Sequence, residues 1–116
     1  MSNILYGIPN CDTVKKARTW LDQQGIAYTF HDFRKAGLDA ATVRGWLRDV
    51  DWEVLVNRKG TTWRGLDEAR KAAIADAESA LALMLETPSV IKRPVLRAGD
   101  ATHVGFSDAL YQQIFR

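Results

Sequence analysis

Cysteine is almost absent from this chain, whose 116 residues hold a single one, Cys11. One thiol cannot close an internal disulfide, and the amino terminus shows no charged region leading into a signal-type apolar core, so the chain reads as cytoplasmic. Histidine is scarce too, with only His31 and His103. Two histidines, one cysteine and no short-spaced ligand pair argue against a metal site. Neither sign of charge dominates: 16 basic and 14 acidic residues leave +2, too little to point to nucleic acid, so any anion site has to be local. No apolar run nears the roughly 20 residues needed to span a bilayer, which removes membrane roles. Glycine-rich phosphate loops, internal repeats, linkers and low-complexity stretches are missing as well.

What is present is an ordinary globular composition, 47% hydrophobic and 26% charged. The length suits one domain with a modest core, so the expectation is a single domain over residues 1–116. Residues 3–8 are short, apolar and closed by Pro9, which predicts a buried strand. From Asp12 to Gln24, Val14, Ala17, Trp20 and Leu21 recur at helical spacing, and Gly25 offers the left-handed stop. Ile26 to Phe33 alternates, with Tyr28 and Phe30 on one face and Thr29 and His31 on the other, as a strand does. A crossover helix between two such strands makes them parallel.

The middle of the chain reads as an all-helical insertion at about 37–88. Helical spacing runs from Asp39 through Val50 and again from Asp76 through Glu86, with Asp39 as a cap and Pro88 as a stop. Trp52, Leu55 and Trp63 between them are expected to be core. Strands resume at Val95-Leu96-Arg97, turn at Gly99-Asp100 and continue over Thr102 to Phe106. A closing helix capped by Ser107 presents Leu110, Ile114 and Phe115. The order is β-α-β, helices, β-β-α, an α/β arrangement.

Cys11 falls where the first strand turns into the first helix. A helix start leaves backbone N–H groups unpaired and carries roughly half a positive charge, which favours a thiolate and lowers a cysteine pKa from its free value of about 8.5. Lys15 and Lys16 are expected to add to that field and Asp12 to oppose it. The alternative is a small buried cysteine, since free cysteine is among the most buried residue types.

Three motifs carry a resemblance. Gly7-Ile8-Pro9-Asn10-Cys11-Asp12-Thr13-Val14-Lys15-Lys16-Ala17, Asn57-Arg58-Lys59-Gly60-Thr61-Thr62-Trp63 and Ile91-Lys92-Arg93-Pro94-Val95-Leu96 resemble the glutaredoxin-coupled arsenate reductase (ArsC) and Spx family. The match is closest to the YffB-like branch of glutathione-dependent thiol reductases. The resemblance implies a thioredoxin-like fold with Cys11 as nucleophile. It implies that Arg58 and Arg93 stabilise the thiolate and bind an anionic substrate or a glutathione carboxylate, a task suited to the planar guanidinium fork. It also implies a cis bond at Arg93-Pro94, beside which a glutathione or peptide strand would pair. Surface solvation remains the plain alternative for either arginine.

Val14 stands where a Cys-x-x-Cys enzyme carries its resolving thiol, so resolution has to come from outside. Glutathione, with a glutaredoxin finishing the cycle, is the natural donor in that compartment. The leading expectation is a glutathione-dependent thiol-disulfide oxidoreductase with no bound cofactor. The alternative is an Spx-like, non-enzymatic regulator docking on RNA polymerase, and the third reading is arsenate reduction. Arsenate-reducing members use a further basic residue in the region matching Thr102 to Ser107, where this chain has no arginine. His103 is a substitute there or, more in keeping with strand histidines, structural.

Overall fold

The structure, a computed structural model, describes residues 2–116. It divides into two compact units, one built from the chain up to Ala36 together with Arg93–Arg116, the other from Gly37–Lys92.

The first unit holds a four-stranded sheet of β1 (Asn3–Gly7), β2 (Thr29–Asp32), β3 (Val95–Ala98) and β4 (Ala101–Val104) in the order β2-β1-β3-β4. β1 and β2 run parallel, with Leu5 opposite Phe30 and Tyr6 opposite His31, as the intervening helix α1 (Asp12–Gln23) requires. β3 is antiparallel to both β1 and β4, and Tyr6 faces Val95. The order β-α-β…β-β-α, closed by α8 (Asp108–Ile114), is the expected thioredoxin-like α/β fold. Alternation along the strands sends Leu5 and Leu96 to one face, where they bury with Ala17, Trp20 and Leu21 of α1 and Tyr111 of α8. α1 stops as its sequence dictates: Gly25 adopts φ +68, and the Ile26 N–H reaches back to the Leu21 carbonyl at 3.0 Å.

Two boundaries differ from expectation. β2 starts at Thr29 and ends at Asp32, because the Asp32 carboxylate accepts from the Arg34 and Lys35 amides and turns the chain into a short helix, α2 (Phe33–Ala36). β4 stops at Val104, before Gly105 at φ +84.

The second unit is helical: α3 (Ala40–Asp49), α4 (Trp52–Leu55), α5 (Thr61–Arg64), α6 (Glu68–Ala73) and α7 (Ala77–Glu86), then a 3-10 turn at Pro88–Val90. Aspartates start four of them, with Asp39, Asp51, Asp67 and Asp76 each accepting from a first-turn amide. Val43 and Trp46 on α3, and Ala80, Leu83 and Met84 on α7, are buried where these two helices pack. The unit extends past the expected end near 88 to Lys92. A Val56–Ile91 bridge and the Lys92 N–H bonded to the Leu55 carbonyl at 2.7 Å tie that stretch to α4. Leu55 is fully buried as expected, but Trp52 and Trp63 are only partly so. Each lies on a helix of four residues, Trp52 on α4 and Trp63 on α5.

Candidate active site around Cys11

β1 delivers the chain to Gly7, Ile8 to Asn10 make the turn, and Cys11 becomes the N-cap of α1 with extended backbone (φ −112, ψ 125). Gly7 is required by this geometry. A Cβ there would stand 2.8 Å from Val14 Cγ2, because the first turn of α1 lies directly on the end of β1. Val14 is therefore a fully buried packing residue in the place where a second thiol would sit.

An N-cap side chain ordinarily supplies an oxygen to the N2 or N3 amide. Here that position holds sulfur. As a thiol Cys11 makes no cap hydrogen bond. Partial burial pushes its pKa up, but the Val14 amide, the Arg93 guanidinium and the Thr13 amide together outweigh that and hold it below the ordinary thiol value. The groups that lower it are thus two helix-start amides and one arginine. Lys15 and Lys16 line a groove along α1 with Trp20 and Phe106.

The Arg93-Pro94 bond is cis, as expected. Pro94 is buried, and its carbonyl accepts from the Gly105 N–H at 2.8 Å. That bond ties the cis turn to the end of β4. Arg93 meets Cys11 in the strand unit, and Pro94 follows it in the chain. Arg58 belongs to the helical unit, where it is exposed, pairs with Glu53 at 2.9 Å and lies 5.7 Å from the Trp52 ring.

The histidines have structural neighbours. His31 packs against Tyr6 with ring centroids 5.1 Å apart and planes tilted by 50°, and His103 lies opposite Leu96 in the sheet. Arg97 sits opposite Ile4, toward the far end of β1 from Cys11, and donates to Thr102 Oγ1 at 3.1 Å and to the Gly99 carbonyl. Among the described residues no three His, Cys, Asp or Glu gather where they could hold a metal ion. No helix among them is long and apolar enough to cross a membrane.

The Thr13 and Val14 amides and the lysine groove were not singled out as individual features of the sequence. The signal for the groove was the row Cys11, Lys15, Thr19, Gln23, spaced by four along one helical face.

Residues 6–114 match the ArsC family. A solved structure named YFFB shares 50% identity, covers 97% of each chain and superposes with a TM-score of 0.91. An arsenate reductase (ArsC) related protein from Brucella melitensis is 52% identical over 100% of this chain and 96% of its own, with a TM-score of 0.77. An uncharacterized protein of Haemophilus influenzae is 42% identical over 111 residues, 96% of each chain. With the motif order, the strand order and the cis Arg93-Pro94 bond all agreeing, the chain belongs to the ArsC family, in its YffB-like group.

Proposed function

We propose that the protein is a glutathione-dependent thiol reductase working through Cys11 alone. One observation carries this reading: a partly accessible sulfur stands at the N-cap of a helix, beside two backbone amides and the Arg93 guanidinium, an arrangement that stabilises negative charge on it. The thiolate attacks one sulfur of a disulfide. A Cys11–sulfur bond forms, the old S–S bond breaks, and the departing thiolate leaves with the bonding electron pair and takes a proton from solvent. Val14 leaves no second thiol in the chain, so a glutathione thiolate attacks the mixed disulfide, regenerates Cys11 and carries the partner's sulfur away as a new disulfide. A further glutathione, or a glutaredoxin, reduces that product.

Arg93 serves twice in this scheme, lowering the Cys11 pKa and offering its fork to a carboxylate. Arg58 is assigned to the same anionic partner on the strength of its motif. Its pair with Glu53 is exposed on both sides, and such pairs are worth about 0–1 kcal/mol, so exchanging Glu53 for a ligand carboxylate costs little. Incubation with oxidised glutathione followed by intact-mass measurement tests the reading. The expected result is one glutathionyl adduct, absent in Cys11→Ser and removed by reduced glutathione. An unmodified wild-type protein would overturn it.

A further inference from the structure

Residues 102–107 include no arginine, yet this stretch is linked to the thiol through its backbone. The route has three steps. Gly105, buried just past β4, donates its N–H to the Pro94 carbonyl at 2.8 Å. Pro94 follows Arg93 in the chain, and the Arg93 side chain hydrogen-bonds the Cys11 sulfur. Every residue on this route belongs to the strand unit.

Both sides of Gly105 are anchored. Val104 before it pairs with Val95, the first residue of β3. Phe106 after it packs edge-on against the buried Tyr111 at a centroid distance of 4.7 Å, and Ser107 accepts from the Leu110 N–H to start α8. Between these anchors Gly105 adopts φ +84, a conformation that an L side chain rarely takes. Another residue is driven toward negative φ. With Val104 and Phe106 held, the 104–105 peptide plane has to absorb that rotation, and its N–H turns off the Pro94 carbonyl. Pro94 is buried, so a carbonyl released there is costly until it moves to another donor, and residue 93 moves with it. The long Arg93 side chain magnifies a small backbone displacement, and a hydrogen bond weakens steeply away from its preferred geometry.

Resting on Arg93 as the side chain that acts on the Cys11 thiol, we propose that Gly105 is a positioning residue of the site: its N–H holds the Pro94 carbonyl and so fixes the backbone from which Arg93 reaches the sulfur. Residues 102–107 thus serve the thiol with a backbone amide rather than a basic side chain. A merely structural glycine, when replaced, costs stability and leaves the thiol alone. A positioning one changes the thiol, and only while Arg93 is present.

Gly105→Ala, Gly105→Asn and an ester in place of the 104–105 amide test this, each in the wild-type and the Arg93→Ala background. Asn enters left-handed backbone more readily than Ala, and the ester deletes the N–H while leaving the glycine its φ. Thiolate absorbance against pH and the rate of exchange with hydroxyethyl disulfide read the site, in variants first shown to be folded by denaturant titration. Gly105→Ala and the ester are each expected to raise the Cys11 pKa and slow exchange at neutral pH about two- to fivefold, a part of what the whole guanidinium supplies. Gly105→Asn is expected to do less than Gly105→Ala. In Arg93→Ala none of the three is expected to shift the pKa further. Should Gly105→Ala fail to fold, the ester carries the test. A folded ester variant with the wild-type pKa and rate would overturn the proposal, and so would equal shifts with and without Arg93. No shift in Arg93→Ala itself would instead overturn the place of Arg93 at the thiol, and no exchange by the wild-type protein would overturn Cys11 as nucleophile.

Discussion

Backbone amides and one side chain hold the Cys11 pKa below the ordinary thiol value, and the two contributions separate by mutation. Removing the guanidinium in Arg93→Ala deletes both a charge and a hydrogen-bond donor facing the sulfur, so the Cys11 pKa is expected to rise. Exchange at neutral pH is expected to slow roughly three- to tenfold, less than a fully buried charge-assisted hydrogen bond would supply, because the site is partly exposed. Thiolate absorbance against pH checks the shift, and Arg93→Lys is expected to restore the charge better than it restores carboxylate capture. The pH sign follows from the lowered pKa. In the folded chain the thiolate persists to lower pH than in the unfolded one, so this group's contribution to stability is present above the unfolded value and is lost as pH falls through the folded value. An unchanged titration in Arg93→Ala would remove the arginine from the site.

At the scale of elements, the join between β1 and α1 places the thiol, and glycine makes the join possible. Gly7→Ala forces a Cβ to 2.8 Å from Val14 Cγ2 and 3.3 Å from Cγ1, against a side chain that is fully buried. The expected cost is about 1–3 kcal/mol in chemical denaturation. Adding Val14→Ala is expected to recover part of it, since the double change removes the clash as well as the methyl groups. Strictly additive losses would mean that β1 and α1 do not meet as described. α1 was legible because apolar spacing agreed with its Gly25 stop, and α3 because spacing agreed with its Asp39 cap; α2 was not, because Phe33 reads as the end of an alternating strand until the Asp32 carboxylate is seen to cap the next turn.

On the whole-molecule scale, the core of the strand unit contains a polar atom with no protein partner among the described residues. Tyr111 is fully buried, its hydroxyl bonds to nothing described, and burial holds the phenol well above its ordinary pKa. Its ring earns the place by edge packing on Trp20 and Phe106, at centroid distances of 5.6 and 4.7 Å. Tyr111→Phe keeps those contacts and is expected to leave stability unchanged or raise it, and a loss of more than about 1 kcal/mol in denaturant titration would reveal a hydrogen bond after all. The distribution of cations argues about substrate. Arsenate is a small, strongly hydrated anion, and a site must replace that hydration with several fixed donors. Arg93 is the one arginine acting on Cys11, while Arg97 is held at the other end of the sheet by Gly99 and Thr102. Little arsenate-dependent oxidation of glutathione is expected, even with a glutaredoxin present; saturable turnover lost in Cys11→Ser would refute this.

By itself the sequence determined the order of elements, the helix start at Cys11 and the missing resolving thiol, because these follow from spacing, capping and residue identity within a few positions of one another. The cis bond was legible only through the resemblance of Ile91 to Leu96, since local chemistry favours trans. Tertiary structure decided what crosses long stretches of chain. It brought Arg93 to a cysteine 82 positions earlier, put Phe106 and Asp108 beside α1, and left Trp52 and Trp63 only partly buried. Periodicity states which side chains share a face, but not which remote face they meet, and charge acts through space. Arg93, far from Cys11 in sequence, therefore acts on a sulfur that no local pattern pairs it with.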